Sequence, residues 1–218
     1  LVSLIGKKEV SSLVHVNMST IAAISTPSGV GGIAAVRLSG PDAIAIADRA
    51  WRGASLSDVP SHTAHFGRIV DPQGEVLDEA VVTIFRAPRS FTGEDTVEFS
   101  VHGSKWIQRR VVETLVAHGA LPAEPGEFTR RAFMNGRMDL SQAEAVADLI
   151  ASSSRAAHRL AMSQMSGAFS KRLDDLRSRL VELASLLELE CDFSEEDVTF
   201  ADRTRLIEIT DETLEMVH

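Results

Sequence analysis

A single cysteine stands among the 218 residues, which excludes a disulfide framework and a cysteine-rich zinc site and fits a reducing, cytoplasmic setting. No apolar run approaches the ~20 residues of a bilayer-spanning helix, so no membrane segment is expected. The Walker pattern G-x-x-x-x-G-K-[ST] occurs nowhere, and with it goes the P-loop mode of holding a nucleoside triphosphate. His62 and His65 have no third ligand near them in sequence, so no metal site is expected. Basic charge is scarce as well. The net charge is −9, and between Glu182 and His218 twelve acids face only Arg203 and Arg205. The preceding residues are nearly balanced, which argues against a broad nucleic-acid surface, since that needs a basic field to displace counterions. A local basic patch around Arg109, Arg110, Arg130, Arg131 and Arg137 remains.

Apolar residues at 44% and charged residues at 24% are ordinary for a soluble globular chain. The length suits one large or two small domains with a true hydrophobic core. Residues 1–17 run apolar, basic, apolar, but Lys7, Lys8 and Glu9 break the pattern too early for a signal peptide. They are read as a disordered leader, with Met18 as the natural start.

From 18 to 137 short β-rich runs alternate with turn chemistry. Thr20–Ser25 and Ile33–Leu38 are expected strands, and Pro41–Trp51 an expected helix with its proline in the first turn. His62–Val70 and Glu79–Phe85 flank Asp71-Pro72-Gln73-Gly74, a turn set by its Pro and Gly. Thr96–Val101 alternates Val97, Phe99 and Val101 with polar residues, a half-buried strand, and Trp106–His118 is the helix after it. The fold class is α+β with a mixed or mostly antiparallel sheet.

From 138 to 218 nearly everything reads as helix. Ser141 and Glu144 have the S-x-x-E spacing of a capping box, and Ala143, Val146, Ala147, Leu149 and Ile150 an apolar face. One long helix is expected from Ser154 to Glu190, roughly 55 Å at 1.5 Å per residue. Its Leu173, Leu176, Leu180, Leu183 and Leu187 form a seam expected to pack in a helical core. A break at Asp192–Asp197 precedes a last helix from Asp202 to Val217. This all-α domain reads as incomplete.

The loop Pro27-Ser28-Gly29-Val30-Gly31-Gly32-Ile33-Ala34 contains G-x-G-x-x-A, but strand rather than helix follows. A tight hairpin-like loop is therefore expected in place of a dinucleotide site. The densest segment is Pro125-Gly126-Glu127-Phe128-Thr129-Arg130-Arg131-Ala132-Phe133-Met134-Asn135-Gly136-Arg137-Met138-Asp139-Leu140. It joins three arginines to two phenylalanines. Glu127, Arg130 and Arg131 are spaced for surface ion pairs worth only ~0.3–0.5 kcal/mol. Arg137 suits a helix C-terminus, and Arg37 and Glu98 suit pairing across the sheet. Cys191, at the end of the long helix, is read as a packing residue.

The 125–140 segment resembles a signature of the bacterial tRNA-modifying GTPases known as MnmE or TrmE. So do Thr26–Gly40 as T-P-x-G-x-G-G-I-A-x-x-R-x-S-G, Arg89-Ser90-Phe91-Thr92-Gly93-Glu94-Asp95-Thr96-Val97-Glu98-Phe99, and Ala147–Ser153. The resemblance covers about residues 19 to 200. It implies an N-terminal domain like the tetrahydrofolate-binding fold of aminomethyltransferases, then the first helices of a helical domain. The inserted GTPase domain, with its GTP, Mg2+ and K+, and the closing helices have no counterpart here. It further implies a homodimer binding 5-formyltetrahydrofolate, acting with a flavin-dependent partner on the wobble uridine of tRNA. Arg37, Glu98 and Arg137 match the family's folate contacts, although the last is often lysine there. Glu98 suits the pterin's paired donors, and the arginines suit the formyl or glutamate end. The resemblance assigns no catalytic residue to this segment. The competing reading is a stand-alone folate-dependent aminomethyltransferase-like enzyme.

Overall fold

The computed structural model describes residues 19–192 and 203–217. The leader reading of residues 1–17 lies outside them, as do residues 193–197 of the expected Asp192–Asp197 break and the side chain of Cys191. The chain divides into two compact units between Arg137 and Met138.

The first unit is α+β. Its strands are β1 (Ile21–Ile24), β2 (Gly31–Ser39), β3 (Trp51–Arg52), β4 (Thr63–Val70), β5 (Val76–Phe85), β6 (Thr96–Gly103) and β7 (Leu121–Pro122). They form one sheet in the order β3-β4-β5-β6-β2-β1-β7, antiparallel except for the β1–β7 pair. Between them lie helices α1 (Ala43–Arg49), α2 (Lys105–Ala117) and α3 (Glu127–Met134). The period-two pattern of β2 and β6 does the sorting: Val36, Leu38, Val97, Phe99 and Val101 face α1 and α2 in one continuous core. Arg37, Ser39, Thr96 and Glu98 therefore point to the opposite face.

One expectation for this unit needs adjusting. The first helix starts only at Ala43, because Pro41 and Asp42 form a turn ahead of it, and Trp51 belongs to β3. The loop before β2 leads into strand, as its residues suggest, and joins an antiparallel β1–β2 pair.

The second unit consists of α4 (Leu140–Ala151), α5 (Arg155–Met165), α6 (Ala168–Asp192) and α7 (Arg203–Val217). The capping box is present but two residues earlier than expected. Asp139, not Ser141, caps α4: its carboxylate accepts from the Gln142 N–H, and its own backbone N–H donates to the Gln142 side chain, in place of the expected Glu144. An ionised carboxylate is a stronger acceptor for the free N–H groups than a hydroxyl. Gln142 also donates to Met165 O at the end of α5, tying the two helices together.

The single long helix is in fact two. Ser154 caps α5 as its side-chain type suggests, but Gly167 adopts φ +75°, a left-handed conformation that ends α5 and starts α6 afresh. The expected leucine core is not closed: Leu173, Leu180 and Leu187 are each about half exposed. On α4 only Ala145 is fully buried, and Ile150 projects outward. Leu183 and Leu187 share an apolar groove with Leu206 and Ile207 of α7, beside an Arg179–Glu212 ion pair.

Candidate functional site

The register of β2 against β6 sets Arg37 directly opposite Glu98. The guanidinium closes on the carboxylate from two nitrogens, Nε and Nη2, at 2.8 and 2.7 Å from Oε1. Both side chains are only partly exposed, so the pair is more than a surface contact. The cross-strand pairing that the sequence suggests is thus present. The second oxygen, Oε2, has no protein donor among the described residues.

Two phenylalanines hold this pair. The guanidinium carbon of Arg37 lies 5.4 Å from the ring centroids of both Phe91, in the β5–β6 connection, and Phe128, on α3. Phe91 also borders a cleft of about 290 Å³ lined by His62, Phe85, Arg89, Ser90 and Arg137. His62 meets the Phe85 ring edge-on at 5.4 Å and shares a hydrogen bond with Ser61. Arg137 is placed by the chain reversal that ends α3. Gly136, at φ +68°, allows the Gly136 N–H to donate to Phe133 O and the Arg137 N–H to donate to Ala132 O, a Schellman motif. The Arg137 stem then passes so close to Gly93 that a methyl group on Gly93 would sit 3.0 Å from its Cγ. All three expected site residues thus gather around Phe91, two through the Arg37–Glu98 pair and the third across the cleft.

The other arginines of the expected basic patch do not form one. Arg109 pairs with Glu113, Arg110 with Glu113 and Asp71, and Arg130 with Glu124 and Glu127. The two arginines hold the Glu113 carboxyl below the ordinary range.

Arg131 departs furthest from its surface reading. It is buried and holds Glu127 at 2.9 Å, Glu94 at 3.3 Å and the Ser19 carbonyl at 2.7 Å. Burial alone would raise the Glu127 pKa. The Glu124 N–H and the Arg131 guanidinium outweigh it, and the carboxyl stays below its usual value. Glu94 also accepts from Ser39, whose hydroxyl shares a 2.7 Å hydrogen bond with Thr92, and Asn135 donates to Thr92 O. This polar network fastens α3 to the loop carrying Phe91. Sequence spacing showed Glu127 and Arg131 one turn apart. Their burial depends on Glu94, 37 residues away, which no local pattern reveals.

The class of protein so defined is an α+β domain, with an arginine- and phenylalanine-lined cleft, carried in one chain with a helical domain. Residues 20–137 match the family described as GTP-binding protein TrmE N-terminus, and residues 140–218 match the MnmE helical domain. The chain belongs to this MnmE/TrmE family. It is 55% identical to the tRNA modification GTPase MnmE of Parabacteroides distasonis over 199 residues, which is 89% of this chain and 43% of that protein. With the protein of the same name from Bacteroides thetaiotaomicron identity is 54% over 205 residues, 92% of this chain and 44% of the relative. With that of Salinibacter ruber it is 54% over 198 residues, 91% and 43%. The chain thus spans less than half the length of these relatives.

Proposed function

We propose that this chain is the folate-binding and dimerisation part of a tRNA modification GTPase. In this reading its first unit has the tetrahydrofolate-binding fold of aminomethyltransferases and takes 5-formyltetrahydrofolate as one-carbon donor. It acts in the cytoplasm with a flavin-dependent partner to place an aminomethyl or carboxymethylaminomethyl group at C5 of the tRNA wobble uridine. GTP, with Mg2+ and K+, belongs in this reading to the GTPase domain of the family. The names of the relatives and the match along both units support the tRNA-modifying assignment.

The observation that carries the folate reading is the Arg37–Glu98 pair beneath Phe91 and Phe128. A pterin presents an amino group beside a ring N–H, and Glu98 retains a free oxygen for such donors while Arg37 fixes its orientation. The neighbouring rings offer flat apolar surface to a flat heterocycle. The residues present therefore fit the ligand. Arg37 acts on it through Glu98, and Arg137 acts from across the cleft. Self-association has its own support: Ile33, Phe66 and Val81 stand exposed on the sheet face away from α1 and α2, where a second copy would cover them. No helix among the described residues is long and apolar enough to cross a membrane.

Calorimetric titration with 5-formyltetrahydrofolate tests the reading, with Glu98→Gln as the comparison. Saturable binding is expected, weakened roughly 10- to 100-fold in the variant because a charge-assisted acceptor becomes a donor facing a donor. Equal affinity of the two proteins would remove Glu98 from the site. Light scattering measures the dimer.

A further inference from the structure

Cations meet different surroundings in the two units. In the first, even a well-exposed arginine finds an acid: Arg109, with 81% of its side chain exposed, still pairs with Glu113 one turn along α2. In the second, the sequence offers no such acid over a long stretch. Between Asp148 and Asp174 there is neither Asp nor Glu, while Arg155, Arg159, Lys171 and Arg172 all fall there. All four are exposed, and among the described residues none makes an ion pair or a side-chain hydrogen bond. The same unit is strongly acidic elsewhere, with twelve acids against two arginines between Glu182 and His218. Charge of each sign is thus gathered rather than interspersed, which gives the basic stretch a local positive potential.

Helix α5 carries half of that charge. Arg155 and Arg159 stand one turn apart on the same side of it. Ala161 is its buried position, and at ~100° per residue it lies ~120–160° around the helix from both arginines. They therefore belong to the side away from the packed one. Residues 153–160 are exposed without interruption, so the Ser153 hydroxyl is open beside them. The helix is ~16 Å long at 1.5 Å per residue, and beyond the Gly167 turn Lys171 and Arg172 continue the positive charge near the start of α6.

We infer that α5 and the start of α6 form a contact strip for the phosphate backbone of tRNA. The inference rests on the tRNA-modifying reading for its choice of anion. Guanidinium groups free of protein acids offer paired N–H donors to phosphate oxygens, and the lysine adds a point charge. The strip is narrow, in keeping with an overall charge that excludes a broad nucleic-acid surface. Contacts of this kind position the RNA and read no base.

The test is fluorescence anisotropy of labelled, unfractionated tRNA with the full 218-residue chain. Between about 50 and 200 mM salt, four phosphate contacts should lose about 100-fold in affinity, and the two left in Arg155→Gln/Arg159→Gln about 10-fold. At the lower salt the double variant should bind at least roughly 10-fold more weakly than the unaltered chain. Arg109→Gln/Arg130→Gln removes the same charge from the first unit, where both arginines already hold acids, and should stay within about twofold of it. Equal losses in the two double variants would reduce the effect to net charge and overturn the strip. A chain that is folded by circular dichroism yet leaves tRNA free at low salt would overturn it too. That result would spare the tRNA-modifying reading, which is supported by the family match and not by this helix. Polyglutamate that displaces the label as well as unlabelled tRNA does, at equal anion concentration, would also overturn it, by making the partner an acidic protein segment.

Discussion

Replacing Arg131 by methionine keeps the apolar stem of the side chain and deletes one charge from a buried cluster. The side chain is 3% exposed, and its partners Glu127 and Glu94 are 9% and 13% exposed. Removing the guanidinium leaves Glu94 out of water without a counter-ion, leaves Glu127 only the longer contact to the exposed Arg130 at 3.5 Å, and frees the Ser19 carbonyl. Breaking a buried pair in this way costs about 3–5 kcal/mol, because the stranded charge cannot recover its hydration. With a urea m-value of ~2 kcal/mol/M, the midpoint should fall by about 2 M. Tryptophan fluorescence is the right probe, since both tryptophans, Trp51 and Trp106, lie in the first unit and report its unfolding alone. Adding Glu94→Gln and Glu127→Gln to Arg131→Met should recover much of the loss, since the uncompensated charges are then gone. A loss below ~1 kcal/mol in Arg131→Met would show that the cluster behaves as a solvated surface pair, and the burial argument would fail.

Two pH effects and one steric effect extend these tests. Glu127 has a depressed folded pKa, so its stabilisation is present above the unfolded value near 4.5 and is lost as pH falls through the folded value. Urea titrations of Glu127→Gln from pH 7 to pH 3 should show lower stability at neutral pH and a weaker acid dependence. His118 is also depressed, first by burial and then by Arg49 and Arg52. The unfolded chain therefore takes up its proton first, and stability should decline as pH drops below about 6.5 and level off beneath the folded value. His118→Phe should flatten that step. Gly103→Ala would place a methyl on the Gly31 backbone, its partner across β2 and β6, and should cost roughly 1–3 kcal/mol by thermal melting. Gly32→Ala, with open space around it, should change stability by less than ~0.5 kcal/mol.

Local periodicity determined most of the elements. Alternation of Val97, Phe99 and Val101 marked β6, and the Pro and Gly of 71–74 marked the β4–β5 turn, because strand pleat and turn dihedrals are properties of a few adjacent residues. Signals of one or two residues were easier to misplace. Asp139 displaced Ser141 as the cap, and Gly167 broke a helix whose leucine spacing runs on past it. The sequence by itself also determined the family, through motifs that lie in order along both units, and singled out Arg37, Glu98 and Arg137. Tertiary structure alone decided what those residues can do. The β2–β6 register turned Arg37 into the partner of Glu98, the reversal after α3 left Arg137 without an acid among the described residues, and Glu94 drew Arg131 into the interior. An arginine's role depends on which carboxylate reaches it first. That choice is made by segments tens of residues apart, so no local pattern carries it.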